Sequence, residues 1–354
     1  MQAVSDASTL IRTRSRLACW LCGSDGELRF SDLHDYLFGA PGKWSLRRCR
    51  NAACRMVWLD PIPIEEDIDK AYRTYYTHTI GIVPSGLTGR IREAVRSGYL
   101  QGKLGYSTGT GATWYRYLRF LAYLYLTGPG NIESDTMFLP APSFPARLLD
   151  VGCGNGDLLV RMRSLGWDVE AVDLDPAAVQ TARARGLEVH QGDLRSQKYP
   201  SNCFDAVTMA HLIEHVYDPP RLLREAHRIL KPGGTLVLLT PNSESLGTHL
   251  YGRDWRGWEP PRHLHVFNVD NMRTTLEQSG LQQVEVRAIA RGARYILSLS
   301  EALRRKRMSS ADTVADDIYQ KTLKSMTLQF VERLLTAVNA RAGEEVLAVA
   351  HKSA

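Results

Sequence analysis

No run in this 354-residue sequence is apolar for long enough to cross a bilayer. The longest aromatic and apolar stretch, FLAYLYL at 120–126, falls far short of the roughly 20 residues a spanning helix needs. The opening residues, MQAVSDASTLIRTRSRL, lack the continuous apolar core of a secretion signal, so the expected address is the cytoplasm. Low-complexity tracts and internal repeats are also missing, which argues against extended disorder and against a solenoid. With 44% hydrophobic and 23% charged residues, the composition is that of an ordinary globular protein.

Cysteine is scarce except at one end. Four of the six fall in the first 54 residues, as Cys19 and Cys22 in CWLCG and Cys49 and Cys54 in CRNAAC. Two knuckles with the spacing C-x2-C-x26-C-x4-C place four thiolates where a tetrahedral zinc ion can gather them, and a segment this small needs such a staple to fold. A reducing compartment disfavours disulfides, and four cysteine ligands leave no open position, so the expected zinc is structural. Cys153 and Cys203 are expected to be packing residues.

The net charge of +6 is modest, but Arg90, Arg92, Arg96, Lys103, Arg116 and Arg119 cluster in one region and Arg304, Arg305, Lys306 and Arg307 in another. Solvated helix faces explain such runs most simply. The other readings are an anionic small molecule, such as a nucleotide-linked or phosphorylated substrate, an RNA, or an anionic membrane surface.

After the cysteines, DPIPIEEDIDKAYRTYYTH reads as a turn and a short helix carrying Tyr72, Tyr75, Tyr76 and His78. Residues 85–128 look helical around the loop GYSTGTGAT, and the Gly- and Pro-rich GPGNIESDTMFLPAPSFPA reads as a linker. From Arg147 onward short apolar runs alternate with helical patterns, the signature of a parallel α/β sheet. Seven strands are expected: RLLDVG, DVEAVDL, LEVHQG, FDAVTMAH, GTLVLLT, QVEVRAIA and EEVLAVAH. The expected organisation is a zinc module over 1–62, a helical substrate lid and linker over 63–145, and an α/β domain over 146–354 with a helical insertion at 294–341.

The run LLDVGCGNGD sets Gly152, Gly154 and Gly156 at the turn from the first strand into its helix. Glycines there let a backbone approach a ligand closely, although dinucleotide-binding proteins share the pattern. Asp173 closes the second strand, where a carboxylate can accept from both hydroxyls of a ribose, and Asp193 follows the third strand, in reach of an adenine amino group.

With LDVGCGNGD, AVDLDP, GDL, FDAVTMAHLIEHV and LKPGGTLVLLTPN in this order over 147–292, and EEVLAVAH at the end, the chain resembles the class I S-adenosylmethionine (SAM)-dependent methyltransferases. The resemblance implies a Rossmann-like, doubly wound seven-stranded sheet with an antiparallel last strand, and SAM as cofactor. It sets Asp150 near the methionyl amino group, and Gly152, Gly154 and Gly156 along the methionine. Asp173 falls on the ribose, Leu174 against adenine, and Asp193 with Leu194 at the adenine edge; His211 joins the cofactor-facing residues. The cysteine knuckles followed by WLDP and YYTH look like the zinc-containing methyltransferases of natural-product and sugar biosynthesis. No counterpart of the long C-terminal domain of their carbon-methylating members is seen, which leaves oxygen, carbon and nitrogen acceptors open.

Methyl transfer from a sulfonium needs alignment and exclusion of water, and a base only when the acceptor carries a proton. The candidates for that base are His215 beside Glu214 in LIEHV, and His263 or His265 in PPRHLHVF. Packing or helix capping would account for the same residues. The aromatic run GTHLYGRDWRGWEPPRH, with Tyr251, Trp255 and Trp258, reads as a lid over the acceptor, with surface packing as the alternative. An RNA-base methyltransferase is one rival, and a non-catalytic SAM-binding or assembly partner is another. The N/D-P-P-Y/F motif of amino-methylating enzymes is missing after the fourth strand, where the sequence is AHLIEH, so a nucleic-acid partner is disfavoured against a small, possibly anionic acceptor.

Overall fold

A computed structural model describes residues 10–73, 87–107, 120, 128–143, 145–308 and 323–354. The N-terminal part contains β1 (Thr13–Arg14), β2 (Gly26–Leu33), β3 (Trp44–Cys49), β4 (Val57–Leu59) and β5 (Ile62–Pro63), then a 3-10 turn over Glu65–Ala71. Next come α1 (Leu87–Leu104) and α2 (Gly128–Ser134). The α/β part runs β6 (Arg147–Val151), α3 (Asp157–Ser164), β7 (Asp168–Asp173), α4 (Pro176–Arg183), β8 (Glu188–Gln191), β9 (Phe204–Ala210), α5 (Pro219–Ile229) and β10 (Leu230–Pro241). It continues through α6 (Leu246–Tyr251), β11 (His265–Val266), α7 (Val269–Gln278), β12 (Gln282–Ile289), α8 (Ala293–Met308), α9 (Leu323–Val338) and β13 (Glu345–His351).

The large sheet has the order β12-β13-β10-β9-β6-β7-β8, and all seven expected strands are in it. β13 runs antiparallel to both β10 and β12, while β10, β9, β6, β7 and β8 pair in parallel. Alternation along the strands assigns the two faces. Leu148, Ala206 and Val237 point into a core with Leu159 and Met162 of α3 and Val179 and Ala182 of α4. Leu149, Val207, Leu236 and Leu238 point into the opposite core with Leu223 and Ile229 of α5 and Met272 and Leu276 of α7. Such strands, buried on both faces, read as continuous apolar runs because helices cover each side.

Two expectations change. Gly128–Ser134 is helix rather than linker, and α2 packs on α1, where Ile132 meets Val95 and Tyr99, and the Tyr99 hydroxyl donates to Glu133 at 2.6 Å. Pro129 falls within the first turn, where its missing N–H removes no bond, so local composition yields to packing. The N-terminal sheet is also not confined to the first 62 residues. Its order is β11-β4-β3-β2, so its outer strand comes from the α/β part, with His265 opposite Trp58 and Val266 opposite Val57.

Candidate active site

The carboxyl ends of β6, β7 and β9 open onto a cavity of about 2030 Å³, the edge where parallel sheets bind ligands. Gly152 and Gly154 have φ of 81° and 54°, which L side chains rarely adopt. A methyl group on Gly154 would meet nothing within 4 Å, so that backbone is open to an occupant, whereas one on Gly156 would strike Leu187 at 2.5 Å. The three glycines therefore divide: Gly152 and Gly154 line the cavity, and Gly156 lets α3 pack.

Asp173 lines the cavity and braces the turn, accepting from Gly154 N and Asp175 N, each at 2.9 Å. Leu174 is 68% exposed on the same wall, as an adenine-facing apolar side chain would be. Asp193 also lines it, accepting from Ser196 N, and Leu194 beneath is buried. Asp150 is buried below the turn, where burial raises its pKa to about 7 and Thr208 donates to it at 2.7 Å. Gly152, Gly154, Asp173, Leu174, Asp193 and Leu194 thus share one cavity, and Asp150 lies beneath it without joining the wall.

The other wall is assembled from distant segments. His215 lines the cavity, and its Nδ1 lies 3.0 Å from the Arg262 carbonyl and 2.9 Å from the Tyr72 hydroxyl. A carbonyl only accepts, so Nδ1 carries the hydrogen, and in the neutral ring the lone pair is then on Nε2. His263 stands edge-on to His215 with ring centroids 4.8 Å apart. It is 5% exposed, its Nδ1 meets the Gly257 carbonyl at 2.7 Å, and burial lowers its pKa to about 4 despite Glu259 nearby.

Glu214 is fully buried and is absent from the cavity wall. Burial would raise its pKa, but His211 and the neighbouring imidazoles hold it at about 2, and Thr240 donates to it at 2.9 Å. His211 lies on the cavity wall with its two ring nitrogens 3.5 Å from Glu214 and 2.8 Å from Glu345. Burial opposes its charge, yet these two carboxylates win and raise its pKa to about 9. Its nitrogens thus serve the wall rather than the cofactor.

Of the residues expected at the acceptor, Tyr72 lines the cavity; Tyr75, Tyr76 and His78 lie outside the described residues. Tyr251, Trp255 and Trp258 are not a lid over the cavity. They pack in a third core with Trp44, Leu46 and Leu297, because their rings find apolar partners between the N-terminal sheet and α8. His265 is fully buried, accepting from the Trp20 indole at 3.0 Å, and burial lowers its pKa to about 3. Arg262, Asp35 and Glu345, all part of this architecture, carried no signal in the sequence beyond lying beside residues already singled out.

Cys19, Cys22, Cys49 and Cys54 present four sulfurs within 4.8 Å of one another. Cys19 and Cys54 are 3.7 Å apart and Cys22 and Cys49 3.4 Å, too long for disulfides. Thiolates about 2.3 Å from a tetrahedral zinc ion would stand roughly 3.8 Å apart, so the donor set fits that metal.

Residues 116–286 match the family model for a methyltransferase domain. The chain carries a methyltransferase domain. Over 104 residues it is 47% identical to a ubiquinone biosynthesis O-methyltransferase of Xanthomonas oryzae pv. oryzae, a match covering 27% of this chain and 44% of that protein. The corresponding protein of Xanthomonas campestris pv. campestris is 46% identical over the same coverage. The chain thus spans less than half the length of these curated relatives. Among solved structures it is similar to phosphoethanolamine N-methyltransferase 2 of Haemonchus contortus in complex with phosphomonomethylethanolamine and S-adenosylhomocysteine, at 19% identity over 68% of this chain and 58% of that one, with a TM-score of 0.45. A SAM-dependent methyltransferase from Archaeoglobus fulgidus is 18% identical over 66% of this chain and 99% of that one, with a TM-score of 0.42. Among the described residues of the methyltransferase domain and its N-terminal part, no helix is long and apolar enough to cross a membrane.

Proposed function

We propose that this protein transfers the methyl group of SAM to a small biosynthetic acceptor, a sugar, glycoconjugate or secondary metabolite, with His215 taking the acceptor's proton. The observation that supports this best is the pairing of His215 Nδ1 with a carbonyl, which in the neutral ring puts the lone pair on Nε2, in a side chain on the wall of the cavity that also holds the glycine turn and Asp173. SAM supplies a methyl already activated on a sulfonium, so this chain's residues align, desolvate and deprotonate. Gly152 and Gly154 would hold the methionine, Asp173 the ribose, and Leu174, Asp193 and Leu194 the adenine. Buried Glu214, fixed by Thr240 and facing His211, places negative charge behind His215, where an imidazolium would form.

The relatives' name specifies O-methyl transfer, which favours a hydroxyl acceptor. Arg73, Arg92, Arg221 and Arg294 on the same wall suit an acceptor with an anionic group. We assign the four-cysteine cluster to one structural zinc ion that clamps the two knuckles together. Incubation with methyl-tritiated SAM and a fractionated small-molecule extract tests the activity: label should move into a discrete acceptor. Tight binding of S-adenosylhomocysteine with no transfer to any fraction would overturn catalysis and leave a SAM-binding role.

A further inference from the structure

Arg262 is a buried cation whose backbone and side chain do two different jobs. Its carbonyl takes the Nδ1 hydrogen of His215 at 3.0 Å. Its guanidinium, 1% exposed, donates to Asp35 Oδ2 at 2.8 Å, to the Ala71 carbonyl at 2.9 Å and to Glu259 Oε1 at 2.9 Å. A guanidinium cannot shed its charge, so at this depth it is held by the carboxylates around it. Asp35, in the loop between β2 and β3, is fixed in turn: its Oδ1 accepts from Leu37 N and Phe38 N, and its Oδ2 also accepts from Ala40 N at 3.0 Å. Ala71 precedes Tyr72, whose hydroxyl is the second partner of His215 Nδ1. Both groups that orient the imidazole are thus anchored to residues before position 73.

A parallel path secures the segment after Arg262. Leu264 N donates to the Glu214 carbonyl at 2.8 Å, and its own carbonyl accepts from Leu59 N at 3.1 Å. Trp20, inside the first cysteine knuckle, donates to His265, and the Cys54 carbonyl in the second knuckle accepts from Asn271 Nδ2 at 3.0 Å. The strand β11 between them is part of the N-terminal sheet.

We propose that Asp35 and Arg262 are positioning residues for His215, through which the N-terminal module sets the tautomer and orientation of the base. The catalytic meaning of this rests on the reading of His215 as proton acceptor; the positioning itself does not. It is tested on the full chain labelled with ¹⁵N-histidine, with long-range ¹H–¹⁵N spectra reporting the tautomer and His215→Ala assigning the signal. Wild-type His215 should be protonated at Nδ1 alone. Asp35→Asn, and independently Arg262→Lys, should convert it to a mixture of tautomers. Each should also lower label transfer from tritiated SAM roughly 10- to 10²-fold, the scale of a small misplacement, with unchanged affinity for S-adenosylhomocysteine. In the His215→Ala background, Asp35→Asn should lower transfer no further, because both changes act on one group. A wild-type tautomer in both variants, or losses that multiply in the double mutant, overturns the proposal. If instead His215→Ala transfers label at the wild-type rate while Asp35→Asn still changes the tautomer, the base assignment falls and the positioning stands.

Discussion

The two ends of the cavity are built on different scales of the chain. The end proposed for the cofactor comes from one continuous stretch, with Gly152, Gly154, Asp173, Leu174, Asp193 and Leu194 all placed at the carboxyl edge of β6, β7 and β8, the first two strands leading into helices and the third into a turn. The end proposed for the acceptor joins Tyr72, His215 and His263, with Arg262 behind them, and these segments come together where β11 joins the N-terminal sheet. The first depends on local turn geometry and tolerates change elsewhere. The second depends on docking of one part of the chain against another, so a distant lesson in packing reaches its chemistry.

The largest break in that contrast should come from the metal. Cys22→Ser is expected to abolish the content of about one zinc per chain and disorder the N-terminal sheet, with β11 and His215 following. Elemental analysis and limited proteolysis read the loss, while S-adenosylhomocysteine binding by calorimetry should survive. A metal-free wild-type protein purified without chelator would remove the zinc assignment.

Next in size, His215→Ala should lower turnover roughly 10²- to 10⁴-fold with cofactor affinity nearly unchanged, as loss of a general base does. His263→Ala is the control: a neutral, buried ring held by Gly257 should mainly disturb the wall and raise the Michaelis constant for the acceptor. Loss of turnover in His263→Ala alone would move the base to that residue.

The reverse pattern sharpens the comparison at the cofactor end. Asp173→Ala removes a charge-assisted ribose contact of about 1.5–3 kcal/mol, and SAM affinity should fall roughly 10- to 150-fold while the spectra of His215 stay as in the wild type. Unchanged affinity in a folded variant would end the ribose assignment.

The smallest effect is one of pH. His211 has a raised pKa of about 9, so the stability it contributes is complete below the ordinary histidine range and is lost as pH rises through about 9. Its side chain keeps 41% exposure, and screening limits the effect to on the order of 1 kcal/mol. Thermal melting between pH 7 and 10 should fall less steeply in His211→Gln than in the wild type; parallel curves would show that the His211 charge is not held by Glu214 and Glu345.

The sequence by itself determined the α/β alternation, the seven strands, the glycine turn, the carboxylates after β7 and β8 and the four-cysteine spacing. Each is encoded within a few residues: strand burial as an apolar run, the turn as glycines at positive φ, and the knuckles as paired cysteines. Tertiary structure alone decided that α2 is a helix, that Trp255 and Trp258 fill a core rather than cover the cavity, and that β11 belongs to the N-terminal sheet. It also decided the partners of His215. Aromatic residues have the same local pattern in a lid as in a core, and Asp35 lies 227 positions from Arg262, so no periodicity records their meeting. What joins them is the need to surround a buried guanidinium with carboxylates, a condition set only when the chain has folded.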